Sequence, residues 1–600
     1  MKVWLKHSAA AAALGLRLAT AGAALGLGLA TTGLAQAATT TVKIIAFNDF
    51  HGNLNSPGTF SGAPAGGADY LAGYIANLKS QNPNSVVVEA GDVIGASPLV
   101  SALFHDEGTI EALNRAGLNI ASVGNHEFDE GSGELLRMQN GGCHPTDSNS
   151  CKGATVGTPV PFEGAKFKYL SSNVTVTATG KTLFPPYVVK SFNGVRVGFI
   201  GITLKDTPSI VTPTGVAGLT FTDEVTTVNA LVPKLRALGV ESIVVVVHQG
   251  GFQGSDAPNF INDCSLTSGG VDNGSALAPL RGIVAGLDDS VDLVISGHTH
   301  TGYNCRLPTK NPNHLIPVTQ ASNYGRVLTD VNMTIDNSTG DVTAITANNI
   351  IVSRSNAAIT PSAQVASIVA GYNTVVSPLA NQTLATITAP VPNTANPSTG
   401  EMLAGDLIAD AQLAATASAQ NGGAVIAFMN AGGVRSPGFV ASSYPHDVTY
   451  GETFTVQPFG NSLVTMTLTA QQIKDVLEEQ FVGCLGQTVQ RVMQISNGFS
   501  YSWSASAAPC HKIVDVTLNG TQLVSSGVVL SPTTTYRIEC NNFMATGGDG
   551  FAVFQQGTNQ VGGALDIDAL VAYLANYLSP NPPYDPASPA LHAPRITVVP

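Results

Sequence analysis

Gly124-Asn125-His126-Glu127-Phe128-Asp129 places an amide, an imidazole and two carboxylates within six residues. Asn125 can ligate a hard cation through its side-chain oxygen. His126 and Asp129, three apart, can pair as a proton-handling imidazole and the carboxylate that orients it. Further short strings carry the same residue types: Asp49 and His51, two apart; Gly91-Asp92; His248; and His298 and His300, two apart after Gly297. Imidazole, carboxylate and amide oxygen make a donor set for divalent metals, and there are enough of them for two ions. A histidine at a strand end is ordinarily structural, but five of the twelve histidines fall in these strings. Thiolate ligation is a poor alternative, because no two cysteines stand at Cys-x-x-Cys spacing.

Each string leaves an apolar, β-type run: 42–47, 86–88, 120–123, 243–247 and 293–296. Helical periodicity fills 68–79 and 109–116, so the first part reads strand, helix, strand, helix, strand. That rhythm predicts an α/β fold, in which sites gather at the carboxyl ends of the strands. Runs such as 243–247 imply strands covered on both faces, whose ends are the first place with room for a ligand.

The chain has 600 residues, more than one core supports, so at least two domains are expected. Charged residues are only 11%, far below the ~25% usual for soluble domains. The formal charge is −13, and −16 without Lys2, Lys6 and Arg17 of the first 37 residues. With no basic run and two Trp, a groove for nucleic acid is not expected. Residues 1–37 read as a signal peptide: lysines, an Ala/Leu/Gly-rich run and Ala35-Gln36-Ala37 as a cleavage site. Arg17 interrupts the run and disfavours a membrane anchor, so an exported, periplasmic or extracellular product without a membrane span is expected. Seven cysteines agree with an oxidising compartment. Cys143 with Cys151, Cys264 with Cys305 and Cys484 with Cys510 are the expected pairs, leaving Cys540.

In the second half, a helical piece over 361–380 reads as a connector, and a new pattern starts near 385. A helix over 403–417 and a strand over 424–429 lead into Asn430-Ala431-Gly432-Gly433-Val434-Arg435. Phe459 and Phe543 sit among Gly, Pro and Asn, where an aromatic ring is either cover or a stacking platform. Asp549 can accept hydrogen bonds from diol hydroxyls, and Arg435 can fork onto a phosphate.

The ordered series Asp-x-His, Gly-Asp, Gly-Asn-His-Glu, His, Gly-His-x-His resembles the calcineurin-like metallophosphoesterases, and its Phe-Asp extension is similar to their 5′-nucleotidase branch. Residues 430–435, 457–461 and 542–551 look like the substrate-binding segments of the same branch. The resemblance implies an α/β fold: a four-layer metallophosphoesterase β-sandwich flanked by helices, joined by a linker helix to a smaller α+β C-terminal domain. The implied division is 38–355, a linker at 356–384, 385–578 and a tail at 579–600. It further implies one divalent ion on Asp49, His51, Asp92 and His300 and a second on Asp92, Asn125, His248 and His298. The ions would be Zn, Mn, Fe or Co. His126, held by Asp129, would stabilise the transition state or protonate the leaving oxygen while a hydroxide between the ions attacks phosphorus. Glu127 is expected to be structural. Asn430, Arg435, Phe459, Phe543 and Asp549 would hold a nucleotide or related small phosphoester. Gly400 stands where the family usually has an additional Arg, which leaves several substrates open: a monophosphate, a diphosphate, a 2′,3′-cyclic phosphate or a sugar nucleotide such as a UDP-sugar. A non-catalytic nucleotide-binding protein is the alternative of a different class.

Overall fold

The computed structural model describes residues 38–600 apart from 212, 213, 255–260, 269, 590, 592 and 593. The signal peptide expected over 1–37 lies outside the described residues.

Along β1 (Thr39–Phe47), Val42, Ile44 and Ala46 face one side while Ile45 and Phe47 face the other. Both sets are buried, because the strand lies in the middle of a sheet with layers on each face. The following strands are β2 (Ser85–Glu89), β3 (Ile120–Ser122), β4 (Lys168–Leu170), β5 (Tyr187–Phe192), β6 (Val195–Ile202), β7 (Ser242–Val247), β8 (Leu293–Ser296), β9 (Gly302–Pro308), β10 (Leu315–Ala321), β11 (Val327–Asp336) and β12 (Val342–Ile351). They form two six-stranded sheets, ordered β12-β11-β1-β2-β3-β4 and β9-β10-β8-β7-β6-β5. Strands β1 to β4 run parallel, as do β6, β7, β8 and β10; β11 and β12 at one end of the first sheet, and β9 and β5 at the two ends of the second, run antiparallel to their neighbours.

Between the sheets, Val42, Ile44, Val86 and Val88 meet Phe199, Val244, Val246 and Ile295. On the outer face of the first sheet lie α1 (Ala68–Gln81) and α2 (Glu107–Ala116), through Leu71, Ile75 and Leu113. On the outer face of the second lie α3 (Glu224–Ala237) and α4 (Leu280–Gly286), through Leu231, Leu235 and Leu280. The result is the expected four-layer arrangement.

The connector is α5 (Ala363–Ala380), capped by Ser362, whose side chain accepts from Val365 N. It is not a free-standing rod. Val365, Ile368 and Tyr372 belong to the core under the first sheet, and Tyr372 Oη donates to Glu111 Oε2 at 3.2 Å. Beyond it, two five-stranded sheets build the α+β part, one containing Ile426–Met429, Ser462–Thr469 and Thr535–Asn541. The stretch 579–600, set apart in the sequence as a tail, is integrated instead. Ile596–Val599 pairs parallel with Phe499–Ser504, and Arg595, 3% exposed, forks onto Asp410 at 2.9 and 2.8 Å. That pairing has no periodic signature of its own, since its partner lies far away in the chain. The three disulfides join Cys143–Cys151, Cys264–Cys305 and Cys484–Cys510, and Cys540 is a buried thiol.

Candidate active site

The parallel strands release their chains at one edge, and there the backbone turns sharply. Asp49, His51, Asp92, His298 and His300 all take positive φ, between 46° and 76°. That conformation costs a non-glycine residue roughly 1–2 kcal/mol, and such strain persists where the surroundings enforce it. Two neighbours must be glycine because of close approach. A Cβ on Gly91 would stand 2.4 Å from His248 Nδ1, and one on Gly124 would stand 2.2 Å from Asp92 Oδ1.

The turns bring two groups of donors together. Asp49, His51 and His300 converge in one, with His51 Nε2 3.1 Å from His300 Nε2 and His300 Nε2 3.4 Å from Asp49 Oδ1. Asp92, His248 and His298 form the other, and Asn125 Oδ1 lies 3.1 Å from both His248 Nε2 and His298 Nδ1. Asp92 Oδ2 stands between the groups, 3.0 Å from His248 Nε2 and 3.5 Å from His51 Nε2. The rings are aimed by hydrogen bonds: His248 Nδ1 lies 2.8 Å from Ala90 O, and His51 Nδ1 lies 2.8 Å from Gly95 O. Each leaves Nε2 facing its group, the outer-sphere pattern of metal-binding histidines.

Asp49 and Asp92 are fully buried, and among the described residues their ion-pair partners are imidazoles alone. Two buried carboxylates without Lys or Arg need positive charge from elsewhere, so the donor set fits divalent cations. Burial pushes the Asp92 carboxyl up, but His248, His126 and His51 together hold it well below its ordinary range. Burial, reinforced by His248, takes His298 down to about 3, so its lone pair is free for a metal. His51 is likewise held well below its ordinary value, chiefly by burial.

Beside these groups, His126 Nδ1 is 2.9 Å from Asp129 Oδ2, which also accepts from Ala96 N at 3.1 Å. Burial opposes charge on His126, yet Asp129 and Asp92 raise its pKa above the ordinary value. Glu127 is a structural clamp. Its carboxylate accepts from Asp92 N, Val93 N and Gly124 N at 3.0, 2.7 and 2.5 Å, tying two donor loops together.

A cleft of about 220 Å³ opens over this floor, lined by Asn125, His126, Asp129 and His298 from one half of the chain and by Asn430, Arg435, Phe459, Phe543 and Asp549 from the other. The Phe459 ring stacks on His126, with centroids 5.7 Å apart at 17°, and the Arg435 guanidinium lies 5.6 Å from the Phe459 centroid. Phe543 is 9% exposed and forms the rim of the C-terminal core. Asp549 takes positive φ, and its Oδ2 accepts from Asn430 Nδ2 at 3.0 Å.

Residues 42–302 match the calcineurin-like phosphoesterase family, and residues 383–556 match the 5′-nucleotidase C-terminal domain. A cell wall protein of Listeria monocytogenes is 30% identical over 565 residues, spanning 90% of this chain and 68% of that protein. The chain belongs to the 5′-nucleotidase family. Endonuclease YhcR of Bacillus subtilis is 29% identical over 550 residues, and the match covers 90% of this nucleotidase-family chain but 40% of the Bacillus protein. The crystal structure of a 5′-nucleotidase precursor from Thermus thermophilus superposes with a TM-score of 0.71 at 25% identity, covering 93% of this chain and 99% of that one. The two-domain α/β architecture is that of 5′-nucleotidases, and the nucleotidase-family chain is a phosphoester hydrolase.

Several residues of the nucleotidase site escaped the sequence reading. Asn48 Nδ2 donates to Asp49 Oδ2 and to Ser322 O, both at 2.6 Å, and so fixes a candidate donor loop to the end of β10. Tyr324 packs edge-on to both His51 and His300. Both stand where an apolar strand gives way to polar residues, the signal that marked the other loops. Arg491 also lines the cleft, beside Asn461 of the 457–461 segment already singled out in the sequence. Arg491 follows no such strand, and its sequence context carries no mark.

Proposed function

We propose that this chain releases phosphate from nucleotides in a reaction that depends on two divalent cations. The reading is supported above all by one observation. A carboxylate shared between two donor groups, Asp92, lies beneath a cleft whose opposite wall presents an arginine, two phenyl rings and a buried carboxylate. In this reading residues 38–355 carry the metals, and residues 385–578 carry the substrate pocket.

Asp49, His51, Asp92 and His300 would hold one cation, and Asp92, Asn125, His248 and His298 the other. When bound, the pair supplies an activated water and neutralises the phosphoryl oxygens. The protein's own residues do the rest. Arg435 forks onto the phosphoryl group, and its charge is felt at both His51 and His126. His126, with Nδ1 on Asp129, presents Nε2 to the cleft and passes its proton to the leaving oxygen. The rings of Phe459 and Phe543 cover the base and exclude water. An acidic chain with a cleft of this size suits a small phosphoester rather than a polynucleotide.

Three disulfides suit an oxidising compartment, as does the cell-wall designation of the Listeria relative; we place the protein outside the cytoplasm. Among the described residues no helix is long and apolar enough to cross a membrane. The test is phosphate release by the purified chain from 5′-nucleotides, 2′,3′-cyclic nucleotides and UDP-sugars, with and without Mn and Zn. Metal-dependent release, fastest from 5′-nucleotides, is expected. Failure of a folded, metal-loaded sample to release phosphate, open a cyclic nucleotide or split a UDP-sugar to UMP would overturn the hydrolase reading and favour a nucleotide-binding role without turnover.

A further inference from the structure

Inside the C-terminal part lies a carboxylate that the chemistry of the cleft does not use. Glu539 is fully buried on Thr535–Asn541, the central strand of its five-stranded sheet, and among the described residues neither of its oxygens has a hydrogen-bond partner. Strand pairing fixes what surrounds it. Ala427 stands opposite on one side and Thr465 on the other; the first has no polar side chain, and Thr465 Oγ1 bonds instead to Asn421 O at 3.4 Å. Arg537, two residues along the same strand, is turned elsewhere, its guanidinium donating to Gly422 O, Thr467 Oγ1 and Asn559 O.

Two further oxygen-bearing side chains close over this spot. The helix Leu403–Thr416 runs above the strand Ile426–Met429 in the opposite direction: Ala424 N donates to Thr416 O at 3.0 Å, while Gln412, one turn earlier, puts Nε2 3.5 Å from Met429 Sδ. Gln412 therefore lies over Ala427, the neighbour of Glu539, and its Oε1, fully buried, has no partner either. Asp566 arrives from the side of Thr465, because the strand Ser462–Thr469 pairs with Thr558–Leu565 immediately before it. It is 1% exposed, and its Oδ1 accepts from Ile567 N at 2.7 Å. Burial, and then the like charge of Asp566, push the Glu539 carboxyl well above its ordinary range.

Two acids buried together are costly unless a proton or a cation joins them. A proton satisfies one oxygen and leaves the other acceptors bare, whereas a cation serves the carboxylates and the amide carbonyl at once. The Gln412 oxygen separates this place from a mere pair of acids, since an amide carbonyl takes no proton but is an ordinary ligand for calcium. The donor set is oxygen alone, with two negative charges and none of the imidazoles of the cleft floor. Calcium accepts such sets in flexible geometry, while magnesium demands a near-ideal octahedron and keeps its waters. We propose that Glu539, Asp566 and Gln412 form a calcium site between the C-terminal sheet and its covering helices, separate from the donor groups beneath the cleft. Asp566 N donates to Asn461 O at 2.7 Å, and Asn461 lines the cleft two residues after Phe459, so an ion here braces that wall.

The test uses the full chain carrying Asp92→Asn, which lacks the shared carboxylate of the cleft floor, and reads no turnover. The protein is equilibrated with calcium chloride, desalted and analysed for bound calcium, and its thermal unfolding is followed in calcium and in EGTA. About one calcium per chain is expected, with Tm higher by about 5 to 10 °C in saturating calcium than in EGTA. Adding Glu539→Gln, which keeps the shape and removes the charge, should abolish both the bound ion and the Tm gap. Gln412→Leu should weaken binding by about 10- to 100-fold, and it serves if the Glu539 variant does not fold. Equal calcium content with and without Glu539→Gln would overturn the site. So would a parent protein that holds no calcium and unfolds alike in calcium and EGTA, which would make Glu539 a buried neutral acid.

Discussion

Asp92→Asn removes the charge between the two donor groups while keeping the side chain's shape. Elemental analysis should then find fewer than two metals per chain, and phosphate release should be nearly abolished. Glu89→Gln, close by, should matter far less: Glu89 Oε2 accepts one bond from Gly91 N at 2.7 Å, which an amide oxygen can also accept. A metal count of two with normal turnover in Asp92→Asn would rule out the shared-carboxylate site. His126→Ala should lower kcat by about 100- to 10,000-fold with nucleotide affinity largely kept, because its proton transfer belongs to the transition state. The two phenylalanines should separate. Loss of the Phe543 ring removes stacking worth ~1 to 3 kcal/mol, or about 5- to 150-fold in nucleotide affinity, with less effect on an aryl phosphate. Phe459→Ala should lower kcat as well, since its ring backs His126. An unchanged nucleotide KM in Phe543→Ala would mark that ring as core cover.

At the scale of elements, the loops beside the site are tied to one another by charge. His105 Nδ1 is 2.7 Å from Glu130 Oε2, next to Asp129, and His105 Nε2 is 2.9 Å from Asp147 Oδ2 in the Cys143–Cys151 loop. The bond to Glu130, opposed by partial burial, helps to raise the His105 pKa to about 9. A folded-state pKa above the unfolded value of ~6.5 gives stability that is complete below pH ~6.5 and is lost as pH rises through about 9. The Tm gap between wild type and His105→Gln should therefore be widest near pH 6 and narrow by pH 10. A gap independent of pH would mean that packing, not charge, holds this junction.

The whole molecule is closed by its last strand. Arg595 is buried against Asp410 and also donates to Ile495 O and Leu591 O, both at 2.6 Å. Arg595→Ala would leave the Asp410 charge buried without its guanidinium partner, so the C-terminal half should lose about 3 to 5 kcal/mol in urea unfolding. A loss under 1 kcal/mol would show that the terminal strand merely lies on the surface. Mass mapping without reduction should recover the three disulfides, with Cys540 reactive only after unfolding because it is fully buried.

The loops that carry the candidate donors were legible in the sequence because their signals are local. An apolar run makes a buried strand, its end is the first place a polar side chain fits, and Asp49, His51, Asp92, Asn125, His248, His298 and His300 each sit at such an end. Strand–helix alternation likewise determined the layered α/β class, and the cysteines form the three expected pairs. Tertiary structure alone decided the rest. It packed the connecting helix α5 into the first core, and it paired Ile596–Val599 as a strand with Phe499–Ser504. It laid Phe459 against His126 and brought Arg491 to Asp549 while closing Gly400 to any side chain. These contacts join segments remote in the chain, where no periodicity links one partner to the other. Long-range packing selects such neighbours, and it becomes visible only when both cores are assembled.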